Sequence, residues 1–167
     1  MATLEELEAR IQILEDLEAI RKLKARYAQL CDNKYNGGMA KGNADLEAVA
    51  SQIAKLFVED AVWDGGKQFG ICKGTQEIYH RFKQGSFNFA VHYFLMPHIT
   101  IENNKAQGRW YLWQAATLTD NTAVWISGFE DDEYVKIDGQ WLVSYMKITL
   151  LFLSPYDQGW VKKKLID

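Results

Sequence analysis

Residues 108–153 read GRWYLWQAATLTDNTAVWISGFEDDEYVKIDGQWLVSYMKITLLFL, and the fold turns on them. Aromatic and β-branched residues fill three runs, 108–120, 121–137 and 140–153, separated by Asp120-Asn121 and Asp138-Gly139. Such residues suit a pleated, half-buried surface. Asp-Gly between two of these runs is a strong hairpin signal, because both of its residues tolerate positive φ. Toward the N-terminus, FAVHYFLMPHITIEN (89–103) adds another run, turned by Asn103-Asn104, and AVW (61–63) a short one. A meandering, mainly antiparallel sheet over residues 88–153 is the expectation.

The preceding residues have a different period. From Leu4, apolar side chains recur three or four apart through Leu7, Ile11, Leu14, Ile20, Leu23, Tyr27 and Leu30, which predicts one long helix over residues 4–31. Its first turns, TLEELEARIQILEDLE, also resemble a short coiled-coil seam through which copies could associate. NKYNGGMAKGNA (33–44) reads as a loop. A second helix is expected from Asp45 to Phe57, capped by Asp45, and a third from Thr75 to Lys83. Helices first and sheet second predict a single α+β domain over residues 1–167 in which a curved sheet wraps around the helices. The tail, 154–167, carries a lysine run on a solvated face.

Composition excludes several function classes. The chain has 167 residues, 48% hydrophobic and 13% aromatic, enough for one well-buried core. With 19 basic and 22 acidic residues and a net charge of −3, there is no electrostatic footprint for nucleic acid. The start, MATLEELEAR, is charged, and no apolar run approaches the roughly 20 residues that span a bilayer. A cytoplasmic location follows as an expectation. Cys31 and Cys72 lack CxxC spacing and are expected as reduced thiols. The three histidines lack a metal-ligand spacing such as HExxH, so no metal site is predicted.

A few polar residues stand out against their apolar surroundings. Asp32 ends the long helix, where unpaired carbonyls carry partial negative charge and disfavour a carboxylate without a partner; turn chemistry with Asn33 in water is the simpler account of it. His92 sits in an apolar strand, sharing a face with Ala90, Phe94 and Met96. There at least one ring nitrogen requires a partner, whether the residue is a satisfied core histidine or lines a cavity. Gln114 and Lys147 are likewise polar residues within apolar strands, each of which faces either water or the interior.

Taken together, KARYAQLCD (24–32), AVHYFLMPHITIE (90–102), GRWYLW (108–113) and YVKIDGQWLV (134–143) resemble the SnoaL-like branch of the nuclear transport factor 2-type fold. The similarity is greatest to the bacterial bile acid 7α-dehydratases and more remote to scytalone dehydratases and hexachlorocyclohexane dehydrochlorinases, and it extends over about residues 4–153. It implies a cone-shaped α+β barrel, also called cystatin-like, that works without a cofactor. It places Tyr27, Asp32 and His92 on the family's catalytic tyrosine, aspartate and histidine. Asp32 would orient His92 as base. Tyr27 would hydrogen-bond a substrate carbonyl. Trp63, Phe69, Phe94, Met96, Gln114 and Lys147 are the expected substrate-binding residues around a small hydrophobic, steroid-like or polycyclic substrate. This chain has Gln114 where the dehydratase has an aspartate, and Lys147 where it has an arginine. A glutamine cannot supply a proton to a leaving hydroxyl.

The expected activity is therefore a lyase of dehydratase type. An isomerase or cyclase using the same residues, a ligand-binding module, and a non-catalytic partner like the small subunit of ring-hydroxylating dioxygenases are the alternatives, since fold alone does not choose among them. Trp110, Trp113 and Trp125 are expected on an outward sheet face that three helices cannot cover, which predicts a homo-oligomer. The family resemblance implies a trimer.

Overall fold

The computed structural model describes residues 2–36, 39, 40 and 42–165; part of the expected 33–44 loop and the last two residues of the tail lie outside them. Helix α1 (Leu4–Asp32) begins with a capping box in which Thr3 Oγ1 accepts from the Glu6 amide and Glu6 Oε2 accepts from the Thr3 amide. Its residues 4–15 are all exposed, including Leu4, Leu7, Ile11 and Leu14. Burial starts at Asp16 and continues through Ile20, Lys24, Tyr27, Leu30 and Cys31. Thus only the C-terminal half of the helix packs into the body.

A two-residue pair, β1 (Tyr35–Asn36) and β2 (Met39–Ala40), follows, then α2 (Asn43–Ala54). The N-cap of α2 is Gly42 without a side-chain cap, and not Asp45, which lies in its first turn. Strand β3 (Phe57–Asp64), short helix α3 (Gly66–Phe69), strand β4 (Ile71–Lys73) and helix α4 (Gly74–Lys83) lead to four long strands, β5 (Phe89–Glu102), β6 (Lys105–Thr117), β7 (Ala123–Ile137) and β8 (Gln140–Pro155), and then α5 (Gly159–Lys162). The sheet order is β4-β3-β8-β7-β6-β5. It is antiparallel except for β3 against β8. The fold is α+β as expected, but the sheet stays open, with β4 and β5 as its edges.

Turn chemistry sets the register. Asp138 and Gly139 have φ of 49° and 80°, joining Ile137 and Gln140 through the expected tight hairpin. Along β6, Ala106, Gly108, Trp110, Leu112, Gln114 and Ala116 point inward, and along β7 Val124, Ile126, Gly128, Glu130, Asp132 and Tyr134 do so. Trp110 is therefore a core residue, its Nε1 donating to Tyr134 Oη at 3.0 Å. Only Trp113 and Trp125 of the three tryptophans lie on the outer face.

Register shifts interrupt the alternation elsewhere. One falls between Leu95 and His98, where Met96 takes φ 47° and Pro97 has no amide hydrogen to donate. It turns Met96 out to 69% exposure, so this residue is not a cavity wall. Another leaves Ser144 unpaired between the Tyr134–Val143 and Glu133–Tyr145 pairs. Beyond it Met146 and Ile148 face inward and Lys147 faces solvent. Lys147 is thus excluded from the interior site expected for it.

Candidate active site

The C-terminal end of α1 crosses the free edge of β5. An edge strand exposes amide hydrogens that need acceptors, and Asp32 supplies one. Its Oδ1 accepts from the His92 backbone amide at 3.0 Å and lies 2.8 Å from His92 Nδ1. An ionised carboxylate only accepts, so the proton of this contact belongs to Nδ1 and the lone pair of a neutral ring lies on Nε2. His92 stacks on Phe94, with centroids 6.3 Å apart, and lines a cavity of about 60 Å³ together with Tyr27, Cys31, Lys34, Tyr35, Trp63, Phe69, Arg81, Phe82, Leu112, Gln114, Glu130 and Ile148, among others.

Tyr27 Oη accepts from Trp63 Nε1 at 3.2 Å, which leaves its own hydrogen to donate. Burial first, then the neighbouring Cys31 and Glu130, push this phenol well above its ordinary range, so it stays a donor. Cys31, also buried, is pushed up to about 12 and stays a thiol. Gln114 is 3% exposed, and its Nε2 has no partner among the described residues. Phe94 stands behind the lining, 6.0 Å from the Tyr27 ring. Of the nine expected residues, Tyr27, His92, Trp63, Phe69 and Gln114 line the cavity, Asp32 holds His92 from behind, Phe94 packs against both rings, and Met96 and Lys147 lie outside.

A buried ionic network reaches the cavity through Glu130, which is one of its lining residues. Lys24 Nζ, one helical turn before Tyr27, contacts Glu130 Oε2 and donates to Asp132 Oδ2 at 2.7 Å; Tyr134 Oη donates to the same Asp132 oxygen at 2.6 Å. Burial tends to discharge Lys24, but the two carboxylates outweigh it and raise its pKa. Glu130 responds the other way. Burial raises its carboxyl to about 7 against the pull of Lys24, and Asp132 adds repulsion. EDDE (130–133) falls within the expected 121–137 strand, but Glu130 and Asp132 are not among the expected site residues. The signal was the alternation from Val124 and Ile126, which carries these two acids inward with Tyr134. Lys34 and Arg81 were missed as well: one follows a helix end and the other lies beside an exposed His80, places where cations are usually solvated.

Residues 12–147 match the SnoaL-like domain family. The chain belongs to the SnoaL-like family. Solved structures agree on the fold. A type 2 hexachlorocyclohexane dehydrochlorinase, LinA, superposes with a TM-score of 0.74 at 17% identity, covering 87% of this chain and 92% of its own. An NTF2-like protein with a cystatin-like fold from Novosphingobium aromaticivorans gives 0.73 at 22% identity over 90% and 92%. A protein of the same organism described provisionally as a scytalone dehydratase gives 0.69 at 19% over 86% and 89%. In this SnoaL-like chain no group of three His, Cys, Asp or Glu side chains among the described residues is placed to hold a metal ion. No helix among them is long and apolar enough to cross a membrane.

Proposed function

We propose that this SnoaL-like protein is a cofactor-independent lyase of dehydratase type, which removes a carbonyl-activated C–H proton and eliminates water. One observation carries the reading: Asp32 fixes Nδ1 of His92 at 2.8 Å while the ring lines an apolar cavity that also holds the Tyr27 hydroxyl. His92 Nε2 takes the C–H proton, and Asp32 stabilises the resulting imidazolium. Tyr27 donates to the substrate carbonyl as it becomes an enolate. Glu130 takes the place of the family's missing acid and gives its proton to the leaving hydroxyl. A carboxyl raised to about 7 by burial is matched to that task near neutrality.

The cavity, about 60 Å³, has room for on the order of five waters, about one ring of a substrate. A bile-acid-like or other polycyclic skeleton would seat its reacting ring here and leave the remainder at the mouth. Gln114, an amide where the family has an acid, favours the second reading, an isomerase or cyclase using the same residues. We further propose a homo-oligomer, a trimer by family resemblance, and a cytoplasmic location, which agrees with the two free buried thiols.

The test is a screen of 3-oxo steroids, polyketides and chlorinated alicyclics for loss of water or acid, followed by substitution. On the responsive substrate His92→Ala loses about 10²- to 10⁴-fold in turnover while remaining folded, and Asp32→Asn is impaired as well. The double variant is little worse than the more damaging single one, because either change disables the unit. Turnover unaffected by both substitutions rejects the mechanism, and a product isomeric with its substrate selects the second reading.

A further inference from the structure

One wall of the cavity carries two cations, Lys34 and Arg81, that no carboxylate among the described residues pairs with. Lys34 is 6% exposed, and no carboxylate among the described residues lies within ion-pair distance of its ammonium. Its ammonium lies 5.4 Å from the Phe82 ring and 6.0 Å from the Tyr35 ring. Arg81 enters the same cavity from α4, with its guanidinium 5.5 Å from the Trp63 ring. Arg81 Nη1 donates to Ser86 Oγ at 2.7 Å, whereas its buried Nε has no partner among the described residues. The amide Nε2 of Gln114, also without a partner, completes a set of donors around one space.

The acids of the site are committed elsewhere. Asp32 is bound to His92, and Glu130 and Asp132 to Lys24. Cys31, held as a thiol, offers no charge. Burial, opposed by Cys31 and aided by the Arg81 charge, pushes the Lys34 pKa down, a sign that this cation is held at a cost. Buried cations without counter-ions are costly and persist where something outside the chain compensates them. A planar guanidinium fork and an ammonium converging on one apolar space suit a planar, two-oxygen anion.

We propose that Lys34 and Arg81, assisted by Gln114, form an anion subsite beside the Asp32–His92 pair, and that the substrate presents a carboxylate to it. The proposal rests on reading the cavity as the substrate site, and it narrows the substrate from a neutral carbonyl compound to a ring-bearing carboxylate. Binding energy from that remote carboxylate would fix the reacting carbon against His92 Nε2.

The experiment measures binding without turnover, so it stands or falls apart from the lyase chemistry. Benzoate and its neutral isostere benzamide are titrated by ligand-observed NMR into the full chain. Benzoate should bind at least about tenfold more tightly than benzamide, the worth of a charge-assisted contact. Lys34→Met and Arg81→Gln should each remove most of that preference and leave benzamide unchanged, and Lys34→Arg should restore part of it. Equal affinities, or a preference that survives both substitutions, overturn the subsite. An independent readout guards against a folding defect. Without ligand, Lys34→Met removes an unpaired buried charge at similar volume, so its thermal midpoint should rise by a few degrees. A fall in the midpoint would show that Lys34 serves the fold, and would overturn the proposal too. Inert Asp32→Asn and His92→Ala variants that still prefer benzoate leave the subsite standing.

Discussion

Asp32 ends a helix where a carboxylate is disfavoured, and the edge of β5 repays that with two contacts from one residue. The position of this pair was legible through family resemblance; the sequence by itself also allowed turn chemistry for Asp32 and a core histidine for His92. The rest of the site was less legible, because an ionisable residue declares itself in sequence only when its neighbours fix the direction it points. Glu130 illustrates the physical consequence. Burial pushes its carboxyl up to about 7, from an ordinary 4.5. Between those values the folded protein keeps a proton that the unfolded chain releases, so this group's contribution to stability is present at low pH and lost as pH rises through about 7. Wild type measured against Glu130→Gln should therefore be relatively more stable at about pH 5 than at about pH 8, read from urea midpoints. A constant difference between the two proteins would contradict the raised carboxyl.

At the scale of elements, the long helix, the α4 helix and the four long strands were readable from period and turn residues, since each signal is local. What escaped was the register within strands. A single unpaired residue reverses every side chain after it, and the shifts at Met96-Pro97 and Ser144 turned two expected wall residues, Met96 and Lys147, outward. A further shift between β7 and β8 adjoins Gly128. A Cβ added at Gly128 would lie 2.2 Å from the Thr149 carbonyl oxygen and 3.1 Å from Leu150 Cα, both backbone atoms that cannot yield without moving the strand. Gly128→Ala should cost about 2 kcal/mol of unfolding free energy, measured by denaturant titration. A variant as stable as wild type would show that the strands part there without strain.

At the scale of the whole molecule, one sheet face has only the single-turn helix α5 against it among the described residues. Trp113, Trp125, Phe152, Tyr156 and Trp160 form a continuous aromatic surface there, with centroids 5.0 to 6.1 Å apart, and α5 contributes only Trp160. Tyr93, Leu95 and Tyr111 are also exposed. A proposed oligomer would bury such a surface, and sedimentation at micromolar concentration should show a species near three times the chain mass. A lone species of 19.2 kDa would exclude it. The parallel pairing of β3 with β8, the one crossing in an otherwise sequential sheet, bears on the order of assembly. Strands β5 to β8 meet through short turns and can zip locally, whereas β3 must wait until β8 exists, with most of the chain between Phe57 and Val143 to be closed as a loop. Trp63 rides on β3, and Tyr27 on a helix still more distant in sequence from β8. The cavity then closes late in refolding, and a meander of β5 to β8 alone would have the four long strands without the Trp63 and Tyr27 walls.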